Sequence, residues 1–172
     1  MTDKPPIILT AILDEESFAY FDGLRQMHFP KERNFLRAHL TLFHHLPGER
    51  SIEIARLLDL LCEDAGEIEL IYQKWRSLGR GVAMKVASPE LVSIRDLIAG
   101  HFFGELTPQD KNKFDPHITV QNKVTPDEAS ALLATLSGVN PPLSGRTLGI
   151  AMWNYIGGPW ELVSEHRFVG ES

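Results

Sequence analysis

"RAHLTLFHHLP", residues 37–47, decides how this chain is read. Its first part alternates: His39 and Thr41 fall on one parity, Leu40 and Leu42 on the other. That is the pattern of a strand with one anchored face and one presented face. A one-residue slip would bury the imidazole and expose the leucines, so register is strongly specified. "FDPHITVQNKV", residues 114–124, repeats the device, with His117 and Thr119 set against Ile118 and Val120. Seven histidines and eight threonines in 172 residues predict about 0.3 His-x-Thr triplets by chance. The chain has two, one in each half.

Outward from these motifs the elements repeat in order. "PIILTAIL" (5–12) reads as a buried strand, and Asp14 opens a helix through Met27 that Pro30 ends. "FLRAHLTLFHHL" (35–46) is the first motif strand. Ser51 caps a helix with Ile54, Leu57, Leu58 and Leu61 on one face. Residues 69–87 read as two strands joined by a turn holding Gly79 and Gly81. Ser88 and Pro89 start a helix to Phe103, a polar loop spans 104–113, and "FDPHITVQ" is the second motif strand. "TPDE" (125–128) is a capping box ahead of Ala129, Leu132, Leu133 and Leu136. "RTLGIAMWNYI" and "WELVSEHRF" close the chain as a hairpin. The order strand, helix, His-x-Thr strand, helix, strands therefore occurs twice. Residues 1–172 are expected to form a single domain of two pseudo-repeated lobes, with motifs at 39–41 and 117–119 facing a shared cleft.

Composition narrows the function. The apolar fraction of 43% supports a sizeable core. Cys62 is the only cysteine, so no intramolecular disulfide forms. No apolar run reaches the length of a membrane span or a flanked signal segment, so a cytoplasmic protein with no membrane partner is expected. The formal net charge of −6 disfavours a long nucleic-acid track, which needs many cations, but leaves room for a small anionic ligand held by a few local donors. A monomer is the expected state.

Imidazole titrates near neutrality, so two of them flanking a phosphate can serve as base and acid of an in-line displacement. A threonine hydroxyl beside each can donate to a non-bridging oxygen as charge gathers there. The scheme requires no metal and no cofactor, and none is expected. On residues alone, satisfied structural histidines beside ordinary strand threonines explain the motifs equally well.

"HLTL" and "PHITV", one in each half of a small α+β chain, resemble the two-histidine phosphoesterase superfamily, which includes bacterial 2′-5′ RNA ligases and cyclic nucleotide phosphodiesterases. "FDPHITV" is the nearer match; "FHHLPG" after the first motif departs from the short "FLG"-type turn common in ligase-like members. The resemblance implies a bilobal α+β fold, with antiparallel sheets lining a central cleft and helices outside. It implies His39 and His117 as the catalytic pair and Thr41 and Thr119 as phosphate ligands. It also implies hydrolysis of a 2′,3′-cyclic phosphate or related phosphodiester on a small nucleotide or RNA end. The alternatives are 2′-5′ RNA ligation and a non-catalytic nucleotide- or RNA-binding module.

Further candidates each have a plainer reading. Arg37, two before His39, either contacts substrate or is solvated. Phe43 continues the motif parity and either stacks on a base or packs in the core. Asp115 either orients His117 or belongs to the turn. His39, His45 and His117 make a three-histidine metal site conceivable, with His44 on the wrong parity, but no carboxylate or cysteine pattern accompanies them. His28, His101 and His166 read as surface or helix-end residues. Trp153, Tyr155 and Trp160 read as hairpin packing before a stacking wall, and Arg80, Lys85, Lys123 and Arg167 either lend positive potential to the cleft or are scattered charge.

Overall fold

A computed structural model describes residues 3–171. Among them seven strands and five helices follow in the order β1 (Ile7–Leu13), α1 (Glu15–His28), β2 (Leu40–Leu46), α2 (Ser51–Asp64), β3 (Ile68–Ser77), β4 (Val82–Ala87), α3 (Pro89–His101), α4 (Pro108–Lys111), β5 (His117–Gln121), α5 (Pro126–Ser137), β6 (Ser144–Tyr155) and β7 (Trp160–Arg167). Every strand pair is antiparallel. The fold is thus α+β, with a curled antiparallel sheet and helices packed on its outer side. Among the described residues no helix is long and apolar enough to cross a membrane.

The strand order is β2-β1-β6-β3-β4-β5, with β7 paired to β6. Exchanging β1 with β4, β2 with β5 and β3 with β6 leaves that order unchanged. β6 is long enough to serve both sides. Its first residues pair β3, while Gly149–Tyr155 pair β7 on the way out. The sheet curls until its two outermost strands, β2 and β5, touch. Those are the motif strands.

Local chemistry explains most element ends. Asp14 accepts from the Ser17 amide, 2.8 Å away, and caps α1. Thr125 and Glu128 form the reciprocal capping box of α5. Gly79 takes φ +84° in the β3–β4 turn, which a side chain would resist. Where the fold departs from the sequence reading, a competing contact is visible. Residues 35–39 do not join β2, because Asp22 on α1 captures the Ala38 amide at 2.9 Å and the Arg37 guanidinium at 2.8 Å. Ser51 is the first residue of α2 and not its cap; Arg50 holds that position without a side-chain cap bond. The predicted loop 104–113 contains α4, capped by Thr107. His166 is a buried pin and not a surface residue. Its Nδ1 meets Asp59 of α2 at 2.6 Å and its Nε2 meets Ser164 at 2.8 Å, fastening β7 to α2.

One contiguous apolar core fills the space between sheet and helices, and Leu9, Leu40, Phe43, Leu58 and Ile98 within it are fully buried. α1 departs from the usual pattern. Its buried stripe is Ser17, Phe21, Asp22 and Arg25, three of them polar. Buried polar groups persist only when bonded: Asp22 and Arg25 reach segments that carry the motifs, and Ser17 meets Asp14 and Tyr72 of β3.

Candidate active site

Both motif strands carry the same irregularity. Thr10 pairs Thr41, yet the next residue back on β1, Leu9, pairs Phe43. Ala83 pairs Thr119, yet Val82 pairs Gln121. Each strand has one extra residue, Leu42 or Val120, immediately after its threonine. A bulge of this kind bends the strand and re-aims the side chains beyond it. Alternation therefore holds from histidine to threonine and then inverts.

The inversion corrects two sequence assignments. Phe43 turns inward, is fully buried and packs beneath the Arg95 guanidinium, so it is a core residue and not a substrate contact. His44, assigned to the far face, turns toward the cleft instead. The doublets in "LFHHL", two apolar then two polar residues, are the trace such a bulge leaves in sequence. His45 is exposed and lines neither cavity of the cleft. Among the described residues no group of three or more His, Cys, Asp or Glu is arranged to hold a metal ion.

His39 and His117 sit in matching settings. His39 Nδ1 lies 2.7 Å from the carbonyl oxygen of Arg37, and His117 Nδ1 lies 3.0 Å from that of Asp115. In each case the oxygen belongs to the residue two positions earlier. A carbonyl only accepts, so at His39 Nδ1 carries the proton and Nε2 keeps the lone pair; at His117 the Asp115 carbonyl favours the same tautomer, while the Arg76 NH2 donor beside Nδ1 competes for it. The Asp115 side chain does not orient the ring; it pairs with Arg76, whose NH2 stands 3.3 Å from His117 Nδ1. Thr41 and Thr119 are half-buried beside the rings.

The rings lie within electrostatic reach of one another. Desolvation pushes His39 down to about 4 against the Arg37 carbonyl, and Arg25, His117 and His44 each lower it further. Desolvation also lowers His117, with Arg76 and His44 adding and the Asp115 carbonyl and carboxylate opposing. Both imidazoles are therefore neutral bases at neutral pH in the free protein.

Two buried arginines, unremarked in the sequence, cross from helix to motif strand. Arg25 on α1 donates to the Thr119 carbonyl at 3.0 Å and to Asn34 at 3.1 Å. Burial lowers its pKa to about 10, and Asp22 partly offsets this. Arg95 on α3 donates to the Leu42 carbonyl at 3.3 Å and to that of Asp110 at 2.6 Å. Each helix thus grips the bulged segment of a motif strand. Their only sequence trace is a charge on the inward stripe of a helix.

The cleft divides into two cavities. The larger, about 350 Å³, adjoins His39 and is walled by Phe18, Phe35, Trp153 and Trp160. Its volume falls in the usual range for small-molecule sites. The Trp160 ring lies 4.8 Å from the His39 ring, and Trp153 is anchored through its indole N–H to Thr10 at 2.9 Å. These tryptophans are a wall of the cleft, the less favoured of their two sequence readings. Tyr155 lies outside it. Arg37 borders the cavity, with its guanidinium held by Asp22 and stacked on Phe18. The smaller cavity, about 160 Å³, adjoins His117 and Thr41, with His44, Arg76, Arg95, Lys113 and Phe114 among its lining. Arg80, Lys85, Lys123 and Arg167 line neither.

Comparisons with known proteins follow the same lines. Residues 13–159 match the family model described as the 2′-5′ RNA ligase superfamily. No curated protein sequence matches the chain. Among solved structures, Escherichia coli LigT complexed with 3′-AMP is similar at 16% identity and TM-score 0.65, covering 97% of this chain and 99% of that one. TT0787 of Thermus thermophilus is similar at 16% identity and TM-score 0.62, covering 97% and 100%. A structure described as a phosphoesterase gives 15% identity and TM-score 0.63, covering 97% and 99%. At these identities the likeness speaks for the fold.

Proposed function

The chain belongs to the 2′-5′ RNA ligase superfamily, and on that premise we propose that it is a metal-independent phosphodiesterase that opens a 2′,3′-cyclic phosphate, or a related phosphodiester, on a small nucleotide or RNA end. His39 and His117 are its acid–base pair, and Thr41 and Thr119 bind the phosphate. The observation that carries this reading is the matched anchoring of the rings. Each Nδ1 lies against a carbonyl two residues back, an orientation that leaves each Nε2 free for proton transfer. E. coli LigT has been crystallised with 3′-AMP, ATP and NADP+, which supports a small nucleotide as ligand here as well. We also read the chain as one domain of two pseudo-repeated lobes, a reading supported by a strand order that survives exchange of the halves.

In this scheme His39 is the base, because its surroundings disfavour the charged form most strongly. It takes a proton from water as the water oxygen bonds to phosphorus. The opposite bond, to the 2′- or 3′-oxygen of the ribose, breaks in line. His117 gives that oxygen a proton. Thr41 and Thr119 donate to the non-bridging oxygens as their charge rises. The Trp153–Trp160 wall offers the nucleobase a stacking surface beside His39. Replacing water by the 5′-hydroxyl of a second strand turns the same proton transfers into 2′-5′ ligation, the alternative reading, which the family description names.

The test is a panel of 2′,3′-cyclic nucleotides and cyclic-ended oligonucleotides, assayed with and without chelator, alongside matched ends for joining. Ring opening that survives chelator is expected. Tight nucleotide binding with no product in either assay would instead identify a non-catalytic binding module.

A further inference from the structure

The larger cavity holds one polar group that the reaction scheme does not use. Besides its two indoles, four lining side chains carry hydrogen-bonding atoms: Thr10, Arg37, His39 and Glu165. The Thr10 hydroxyl accepts the Trp153 indole N–H, and the Arg37 guanidinium is held by Asp22. The His39 ring lies on a carbonyl and is assigned to proton transfer. Glu165 remains. Its Oε2 accepts from Arg167 at 3.1 Å, while among the described residues Oε1 meets no donor.

Register sets where this carboxylate stands. Thr41 on β2 pairs Thr10 on β1, Thr10 pairs Ala151 on β6, and Ala151 pairs Glu165 on β7. Directly paired residues share a face of the sheet, so the four form one row. All four line the cleft, Thr41 in the smaller cavity and the rest in the larger. The row begins at a threonine assigned to the reacting phosphate and crosses two small side chains. It ends at an acceptor three strand spacings away, about 14 Å between backbones. Thr10 and Ala151 leave its floor low, and Trp153 and Trp160 wall the same cavity.

A carboxylate only accepts hydrogen bonds, so the base edge that meets it must donate. Guanine carries N1–H and the 2-amino group side by side, matched to two carboxylate oxygens. Adenine and cytosine set one amino group beside a ring-nitrogen acceptor. Uracil sets its N3–H between two carbonyls, which a carboxylate repels.

We propose that Glu165 reads the donor edge of a guanine stacked against the Trp153–Trp160 wall, with the phosphate at the Thr41 end of the row. This rests on the phosphodiesterase reading above and narrows its substrate class to cyclic phosphates on guanosine.

The experiment measures kcat/KM of the full chain on the 2′,3′-cyclic phosphates of guanosine, inosine, adenosine, cytidine and uridine, which differ only in the base. Guanosine is expected to lead adenosine, cytidine and uridine about tenfold, chiefly through KM, the lower end of the worth of a hydrogen bond to a charged group. Inosine keeps N1–H and lacks the 2-amino group, so it should fall between. Glu165→Gln keeps the shape and puts a donor where one acceptor stood. In that variant the guanosine lead should shrink to about twofold or less. Equal values for all five bases, or a lead that Glu165→Gln leaves intact, overturns the proposal. Binding of the 3′-monophosphates of guanosine and uridine, followed by quenching of tryptophan fluorescence, needs no turnover and separates the two claims. Ring opening of every base with no preference in either assay would remove the guanine site alone. Tighter guanosine binding, lost in Glu165→Gln, with no ring opening of any base would remove the phosphodiesterase reading alone.

Discussion

Arg25 on α1 donates to the carbonyl oxygen of Thr119, 3.0 Å away and 94 residues on in the chain. A helix from the first half thereby fixes the bulged motif strand of the second. Substitution by methionine leaves the Thr119 carbonyl and Asn34 without their donor and is expected to destabilise the protein by about 3 kcal/mol. Lysine cannot reproduce the fork and should recover little of this. Urea unfolding midpoints of both variants check the expectation; wild-type stability in Arg25→Met would refute it.

His39→Ala and His117→Ala should each lower kcat by about 10²–10⁴, the usual worth of a proton-transfer group. The double variant should lose much less than the product of the single losses, because the two groups act in one step. Single-turnover rates on a cyclic nucleotide measure this. Full activity in either single variant would exclude the pair.

The pH dependence follows from the two depressed values. His39 must be neutral to act as base, so kcat/KM rises as pH passes about 4. His117 must be protonated to act as acid, so kcat/KM falls again as pH passes a value below its ordinary 6.5. The profile of kcat/KM, which reports the free enzyme, is expected to be a bell peaking on the acid side of neutrality. A maximum above pH 7 would mean that one ring does not carry its assigned proton.

Stability carries the same signature. Between pH 6.5 and about 4 the unfolded chain protonates an imidazole that folded His39 leaves neutral. The unfolded state binds more protons in that window, so stability falls as pH drops through it, and the loss is complete below pH 4. Thermal melts across this range should show a shallower decline for His39→Asn, with the part due to His117 remaining.

Trp160→Ala opens one side of the His39 ring, now 4.8 Å from the indole. With more water at the ring, the His39 pKa should rise toward 6.5 and the acid limb of the rate profile should follow it. KM for a cyclic nucleotide should increase as the stacking surface is lost. An imidazole titration unchanged from wild type would show that the indole does not desolvate this ring.

Much of this arrangement is legible because it is written in local chemistry. Thr125 with Glu128, Asp14 ahead of α1, and Gly79 in the β3–β4 turn each act within a few residues. The His-x-Thr spacing likewise survives, since alternation holds over three residues. What the sequence conceals lies in tertiary contacts. The bulges at Leu42 and Val120 carry no glycine or proline; at Val120 the alternation looks unbroken, and at Leu42 the only trace is the doubling in Leu42–Phe43 and His44–His45. Alternation alone therefore puts Phe43 in the cleft and His44 out of it, the reverse of the fold. The Asp22 contact that keeps β2 from starting before Leu40, and the reach of Arg25 and Arg95, depend on partners 16 to 94 residues away. No local window contains them.

The strand order has a consequence for how the protein is made. β1 and β2 find their inner neighbour only in β6, which spans Ser144–Tyr155, while β4 and β5 lean on β3 from earlier in the chain. During synthesis the β1–β2 pair therefore waits, with the inner backbone edge of β1 unpaired, until nearly the last strand leaves the ribosome. Contacts so distant in sequence make for slow closure and a long exposed interval. Halves severed near Ser88 would each lack a strand that the other carries, and should regain structure only when mixed.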